Sequence, residues 1–243
     1  MTAVQARVSE VTGLAATTRL KTRGTIIDKL HREKTNLARM QDIAGVRVVL
    51  PQGAALVEQD RAVDQVVDAF GDAEPTDRRL SPSFGYRAVH VVVRDLDYWV
   101  EVQVRTHLQD LWGQLVDRLS DAWGRQLRYG EPPDDADVLV SGELTRLDVL
   151  AVIAELSAVV YGQDTMVSVT RCHEAQVGGR RDELAERRLL LHYRAIWPGS
   201  PDPFSVPVSA GEVRAFDEDV DSLGERIVGL LRHLASLDAW LVR

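Results

Sequence analysis

The sequence has little cysteine, few aromatic residues and no long apolar run. Cys172 is the single cysteine among 243 residues, so no disulfide can form within the chain, and we expect a reducing, cytoplasmic location. No apolar run approaches the roughly 20 residues that cross a bilayer. The N-terminal sequence MTAVQARVSEVTG lacks the basic-then-apolar order of a secretory signal. These features predict a protein without a membrane segment.

A general basic surplus is also missing. The net charge is -8, and it is uneven along the chain. Residues 1–130 hold 18 Lys and Arg against 17 Asp and Glu, whereas residues 131–243 hold 11 against 20. A generic nucleic-acid-binding module is basic over a whole face, so the composition does not favour that class. A local anion-binding site is still compatible with it.

The strongest pattern in the sequence lies within Ser81–Arg105. Two runs of alternating valines, one through Val93 and one from Val100, are separated by an acidic segment. Period-two alternation of this length predicts a hairpin of two half-buried strands. The face of such a hairpin opposite the valines is usually just solvated, but here it carries four different functional groups. The non-valine face carries His90, Glu101, Gln103 and Arg105.

Two upstream segments add charged groups to this inventory. Met40–Leu50 predicts a short strand with Gly45 and Arg47 on its polar side, and Asp42 is expected just before the strand or at a bulge. Further upstream, cationic residues precede and enter a predicted helix, where i, i+4 and i+7 positions share one face. This segment favours binding of a polyphosphate. Its polar residues are Arg19, Lys21, Thr25, Lys29 and Arg32.

The element order up to residue 130 is helix, strand, helix, strand, strand, strand, helix. It predicts an α/β (α+β) domain with a small mixed sheet flanked by helices and one open polar face. The first helix is expected at Val4–Thr17, and Thr106 is the expected N-cap of the last, long helix. The sequence EPPDD at residues 131–135 breaks the pattern and divides the chain into domains 1–130 and 131–243. The second domain is predicted to be mainly helical with a short strand pair, for which Leu189–Trp197 is a candidate.

Several motifs in this order resemble the RelA/SpoT-type alarmone synthetase family. They are DIAGVR from Asp42, GYR from Gly85 followed by His90, and EVQVRT from Glu101. The resemblance covers roughly residues 15–130 and implies a nucleotidyltransferase-like synthetase domain. The chain has no His-Asp dipeptide, so the family's metal-dependent hydrolase domain is expected to be absent. The chain therefore resembles a small, single-domain member.

The resemblance implies an Mg²⁺-dependent enzyme that transfers the β,γ-diphosphate of ATP to a ribose 3′-hydroxyl. With GDP or GTP as the acceptor, the product is the alarmone (p)ppGpp. Asp42 and Glu101 are the implied catalytic residues and Mg²⁺ ligands, and Glu101 is also the implied base. The implied ATP-binding residues are Arg19, Lys21, Thr25, Lys29, Arg32 and Arg47. Of these, Arg19 and Arg47 are implied to hold the adenine between them. The implied acceptor-binding residues are Tyr86, His90 and Gln103.

Two other interpretations stay open. Pro82 stands where some small synthetases have a basic residue that meets the acceptor's 5′ phosphates. The toxic subset of the family, paired with antitoxins, instead pyrophosphorylates the 3′ end of tRNA and blocks translation, so an antitoxin is a candidate partner. A third hypothesis is an inactive nucleotide-binding or interaction module, although the intact Asp42 and Glu101 pair argues against it.

Overall fold

The computed structural model describes residues 2–96, 98–141 and 143–236. Short 3₁₀ turns lie at Leu37–Arg39 and Arg125–Tyr129. The helices are α1 Thr2–Thr12, α2 Arg23–Glu33, α3 Leu56–Phe70, α4 His107–Trp123, α5 Arg146–Val177, α6 Glu183–Ile196 and α7 Ala210–Ser236. The strands are β1 Ala16–Leu20, β2 Ala44–Val49, β3 Glu74–Asp77, β4 Val89–Asp95, β5 Tyr98–Arg105, β6 Leu139–Ser141 and β7 Leu144–Thr145.

Five strands form one mixed sheet in the order β1-β2-β5-β4-β3. Strands β2 and β5 run parallel, and the other neighbouring pairs run antiparallel. This arrangement and the helical C-terminal region confirm the predicted fold class. The turn of the β4–β5 hairpin includes Asp97, which lies outside the described residues.

The apolar face of the sheet is a layer of valines on the three central strands. Val48, Val91, Val102 and Val104 are completely buried. β-Branched side chains pack well on a pleated, buried surface, which explains why this alternation predicted the strands correctly. Helix α3 is bonded to the sheet, because the buried Gln59 side chain donates a hydrogen bond to the Val104 carbonyl at 2.8 Å.

The N-terminal part differs from the sequence prediction. The first helix was expected to run from Val4 to Thr17, but α1 ends at Thr12, and Gly13 follows with a φ of 68°. The chain then forms β1, which pairs antiparallel with β2. The prediction missed this strand because only one of its five residues is buried, so it carries no apolar alternation.

The chain forms two compact units that interleave along the sequence. The first runs up to Leu50 and adds Glu58–Arg78 and Ala88–Arg105. The second contains Pro51–Val57, Arg79–Arg87 and the chain from Thr106 onward. The five-stranded sheet belongs to the first unit. The proposed domain division at residue 130 stays a prediction.

The core of the second unit is built by α4, α5 and α7. Buried side chains of these helices include Trp112, Leu156 and Leu231, and the Trp112 indole N–H donates to the Ile153 carbonyl at 2.8 Å. Helix α4 begins with the predicted N-cap Thr106, whose hydroxyl accepts a hydrogen bond from the backbone N–H of residue 109.

The prediction of a strand at Leu189–Trp197 is wrong, because this segment belongs to helix α6. Asp182 caps the helix by accepting a hydrogen bond from the Ala185 N–H at 3.0 Å. Glu186, Leu189 and His192 are buried at a three-residue spacing, which is helical rather than alternating. A short strand pair does occur in this region, but β6 and β7 form it.

Helix α5 is long and apolar enough to cross a membrane by length and composition. Its most apolar 18-residue window has a mean hydropathy of 1.2, and 44% of that window is buried inside the protein. The helix also buries polar side chains such as Gln163 and Asp164. A mostly buried core helix passes the same test, so this feature is weak evidence for a membrane span.

Candidate active site

The polar face of the sheet brings together side chains from four strands. Strand register places Gly45 of β2 beside Arg19 of β1 and beside Glu101 of β5. Gly45 therefore leaves a gap in the side-chain layer between a guanidinium and a carboxylate. The neighbouring row across β2, β5 and β4 is formed by Arg47, Gln103 and His90.

Asp42 is the anionic partner of two lysines. Its Oδ2 lies 2.6 Å from Lys21 Nζ and 2.6 Å from Lys29 Nζ. Lys21 also donates to the Asp42 carbonyl at 3.1 Å. Burial raises the pKa of Asp42, but the hydrogen bonds and charges of the two lysines outweigh this effect, so the net pKa is lowered. Asp42 is therefore a carboxylate at neutral pH.

The other oxygen of Asp42 is unsatisfied. Its Oδ1 is buried and has no hydrogen-bond partner. Asp42 precedes the regular strand β2, as the sequence predicted, and irregular backbone there lets a side chain of apolar parity reach the polar cluster. An unpaired, buried carboxylate oxygen is costly, and it is a ready ligand for a hard cation.

Glu101 accepts two hydrogen bonds from its neighbours. His90 Nδ1 lies 2.9 Å from Oε1, and the Gln103 amide donates to Oε2 at 2.7 Å. Burial raises the pKa of Glu101 and the charge of Asp42 also raises it, but the contacts with His90 and Gln103 prevail, so the net pKa is lowered. The two carboxylates are thus close enough to interact, and both are held ionised.

The Gln103 side chain is oriented by the guanidinium of Arg105. Arg105 is 3% exposed, and its guanidinium donates to Gln103 Oε1 at 3.1 Å. Because the amide oxygen faces Arg105, the amide NH₂ faces Glu101. The sequence placed these groups on one face but gave no sign of this chain of contacts.

A small cavity of about 30 Å³ lies within this cluster. This volume exceeds the roughly 10–15 Å³ that a buried water molecule requires. It can hold an ion or a water molecule, whereas a nucleotide would have to lie over the open face. The lining residues are Arg19, Lys21, Asp42, Gly45, Val46, Arg47, Glu101 and Gln103.

Three of the sequence-predicted ATP-binding residues, Thr25, Lys29 and Arg32, do not line this cavity, and Lys29 contacts one of its residues, Asp42. The Thr25 hydroxyl lies 2.9 Å from that of Thr22, the N-cap of α2. Arg32 Nη2 lies 3.2 Å from the neighbouring Glu33 carboxylate. Both residues are on α2 with Lys29, so their role in ATP binding stays a prediction.

Tyr86 belongs to the second unit, unlike the other predicted site residues. It ends a tight turn in which its backbone N–H donates to the Ser83 carbonyl at 2.9 Å. The central residues Phe84 and Gly85 both have positive φ, 52° and 83°, as a type I′ turn requires. The Tyr86 ring is half-buried and packs in part against the helical core.

The site combines lysines and arginines, which are suited to phosphate groups, with two nearby carboxylates. Residues 18–119 match the family model described as the region found in RelA/SpoT proteins. These residues include all the motifs on which the sequence resemblance rested. Residues 18–119 are therefore similar to the region found in RelA/SpoT proteins.

Curated relatives match about half of the chain. Uncharacterized proteins of Mycobacterium tuberculosis and Mycobacterium bovis are 40% identical over 134 residues, which is 54% of this chain and 48% of each relative. The chain thus spans about half the length of the curated relatives it matches.

Two solved structures are also similar. A GTP pyrophosphokinase family protein from Streptococcus pneumoniae is 20% identical over 78% of this chain and 92% of its own, with a TM-score of 0.47. Small alarmone synthetase 1 from Bacillus subtilis, bound to its product pppGpp, is 18% identical over 65% of this chain and 84% of its own, with a TM-score of 0.46. Likenesses this weak add nothing to the match with the family model.

Proposed function

We propose that this protein is a pyrophosphokinase that transfers the β,γ-diphosphate of ATP to the ribose 3′-hydroxyl of GDP or GTP. The observation that carries the proposal is the cluster of two ionised carboxylates, Asp42 and Glu101, among cationic side chains on one face of the sheet. Transfer of phosphoryl-type groups depends mainly on positioning and on neutralising charge, and this face provides both.

Arg19 and Arg47 are suited to hold the adenine. They lie on neighbouring antiparallel strands, where Arg19 pairs with Gly45, two residues before Arg47. Diagonal neighbours of this kind are roughly 7–8 Å apart, which leaves room for one planar ring between two guanidinium groups. Guanidinium planes stack on aromatic faces, and the missing side chain at Gly45 keeps the space between them open.

Replacing Gly45 by alanine is expected to weaken ATP binding without unfolding the protein. A methyl group there would meet the Glu101 and Arg19 carbonyls at 3.5 and 3.6 Å, which is ordinary contact. It would however fill the floor of the cavity, so we expect the KM for ATP to rise about 10-fold, which corresponds to about 1.4 kcal/mol of binding free energy. Thermal melting should show equal or slightly higher stability.

The matched control is Gly162→Ala, where an added methyl group meets no atom within 4 Å. It should leave the KM for ATP unchanged. An unaltered KM for ATP in the Gly45 variant would show that ATP does not bind at this part of the sheet.

Magnesium fits the two carboxylates. Among residues 2–96, 98–141 and 143–236, no group of three or more His, Cys, Asp or Glu side chains is placed to hold a metal. Mg²⁺ is usually bound by one or two carboxylates together with substrate phosphates. Asp42 Oδ1 and the Glu101 carboxylate are the groups that would hold it, and it would neutralise charge on the transferred phosphates. Lys21 and Lys29 would then turn from Asp42 to the phosphates.

The proposed acceptor-binding residues are His90 and Gln103 of the first unit and Tyr86 of the second. An aromatic face stacks on a base, and His90 and Gln103 are paired across β4 and β5. Both also contact Glu101, so a hydroxyl bound near them would lie beside a carboxylate that can accept its proton.

Replacing Tyr86 by alanine should raise the KM for the acceptor much more than the KM for ATP. Base–aromatic stacking contributes about 1–3 kcal/mol, which corresponds to a rise of about 5- to 150-fold. Steady-state kinetics with each substrate varied in turn would measure it. Tyr98→Ala, which removes a 74% exposed ring, is the control. Equal KM values for the acceptor in both variants would contradict the stacking role.

The proposal is tested with purified protein, Mg²⁺ and ATP labelled on its γ-phosphate. GDP, GTP and bulk tRNA are offered separately. We expect label on GDP or GTP. Label on tRNA alone would identify the toxin-type activity and make an antitoxin the expected partner, and label on none of the three would favour an inactive binding module.

A further inference from the structure

Helix α5 contacts the turn that carries Tyr86. The Arg87 guanidinium stacks on the Tyr161 ring, with its carbon 4.3 Å from the ring centroid. Arg87 Nε also donates to Ser157 Oγ at 3.2 Å. Tyr161 and Ser157 lie one helical turn apart on α5, so both present to the same side.

The contacts continue on both sides of Tyr86. The Ser157 hydroxyl donates to the Gly85 carbonyl, and Arg87 Nη1 donates to the Arg79 carbonyl. Ser157 therefore bonds to the residue before Tyr86 and to the residue after it. Ser157 is 3% exposed and Tyr161 is 4% exposed, so these contacts are partly shielded from water, which strengthens hydrogen bonds and cation–π contacts.

The turn itself needs such support. Phe84 has a φ of 52°, which is unfavourable for a residue with a large side chain. A Cβ at Gly85 would lie 2.8 Å from the Trp112 ring and 3.3 Å from Ser157 Cβ, so the backbone is pressed against α4 and α5. A conformation of this kind persists only when its surroundings over-determine it.

Tyr161 is fixed from its other end. Its hydroxyl lies 2.6 Å from His192 Nδ1 of α6, and the ring also packs in a small core with Leu189. The ring that receives Arg87 is therefore held by two helices.

We propose that Ser157 and Tyr161 are positioning residues for the acceptor: with Arg87 they clamp the turn that presents Tyr86. This inference rests on the proposed function for the role of Tyr86. Ser157 and Tyr161 lie beyond residues 18–119, so the helical C-terminal region would support the turn that carries Tyr86.

The test uses the full chain with Ser157→Ala and Tyr161→Leu. Hydrogen exchange at the Tyr86 amide, which bonds to Ser83, should become about 10-fold faster or more, because local opening is governed by the contacts that oppose it. The KM for GDP or GTP should rise about 3- to 30-fold, in proportion to a partly desolvated cation–π contact, while the KM for ATP stays within about twofold.

Tyr161→Phe is the conservative variant. It keeps the ring that receives Arg87 and removes the hydroxyl that contacts His192, so it should restore slow exchange and a low acceptor KM. Val159→Ala, on an exposed position of α5 (48% exposed), is the control for the helix. Ser157→Ala keeps the test valid if Tyr161→Leu does not fold, because alanine suits a helix interior.

The outcomes separate the two ideas. Unchanged exchange at Tyr86 in Ser157→Ala and Tyr161→Leu would overturn the clamp. Faster exchange with an unchanged acceptor KM would overturn its role in positioning the acceptor. If the wild-type protein transfers no diphosphate while exchange at Tyr86 is still faster in the variants, the clamp stands and the proposed function is contradicted instead.

Discussion

Glu101→Gln should reduce diphosphate transfer by roughly 10³-fold, since a general base alone contributes about 10²–10⁴-fold and the same carboxylate is a proposed metal ligand. The amide keeps the size of the side chain and one oxygen that can accept from Gln103 or His90. It cannot take a proton from the acceptor hydroxyl, and it carries no charge for Mg²⁺. The rate of label transfer from ATP measures the effect.

The fold should survive this change. The contacts of Glu101 with His90 and Gln103 are made on the polar face, whereas the valine face of β5 is untouched. We expect the Tm to stay within about 4 °C, equivalent to about 1–2 kcal/mol for a chain of this size. Glu74→Gln, on the exposed edge strand β3, should retain full activity. Wild-type turnover in Glu101→Gln would exclude this residue from the reaction.

The pH dependence gives an independent check on Glu101. Its folded pKa is lowered from the ordinary value of 4.5, so the carboxylate is present at neutral pH and is lost only as the pH falls through that lowered value. Protonation of Glu101 should therefore lower the wild-type rate only below pH 4.5.

Asp42→Asn should lower the rate by about 10²-fold, comparable to the loss when a group close to a metal site is removed. More Mg²⁺ should also be needed for half-maximal rate, because the unpaired Oδ1 of Asp42 is a proposed ligand. A titration of rate against Mg²⁺ measures both effects. Asp68→Asn, an exposed change on α3, is the control.

The same variant has a readout that does not depend on activity. Lys21 and Lys29 lose their shared carboxylate, so we expect a loss of about 1–3 kcal/mol in the free energy of unfolding at pH 7. The pKa of Asp42 is lowered in the folded state, so its contribution is present above pH 3.8 and disappears as the pH falls through the folded pKa. Wild type and variant should therefore converge in stability at acid pH. A constant difference at all pH values would show that the lysine pairs are not its source.

The sequence determined the local parts of this protein. Alternating valines fixed the hairpin of β4 and β5 and its polar face, because period two is a property of a single strand. The N-cap Thr106 and the apolar spacing after it likewise predicted α4. The order of the motifs from Asp42 to Glu101 indicated the same family whose model matches residues 18–119. The strand β1 and the helical state of α6 were not predicted, because β1 is mostly exposed and α6 alternates loosely.

The tertiary structure decided which groups meet. The parallel pairing of β2 with β5 sets Gly45 beside Glu101, and no local pattern encodes the register between strands that are far apart along the chain. Asp42 was predicted as a metal ligand, but only the fold shows that Lys21 and Lys29 pair with it. The support of the Tyr86 turn by Ser157 and Tyr161 has the same origin: long-range packing selects such contacts, and sequence periodicity reports only on neighbours within one element.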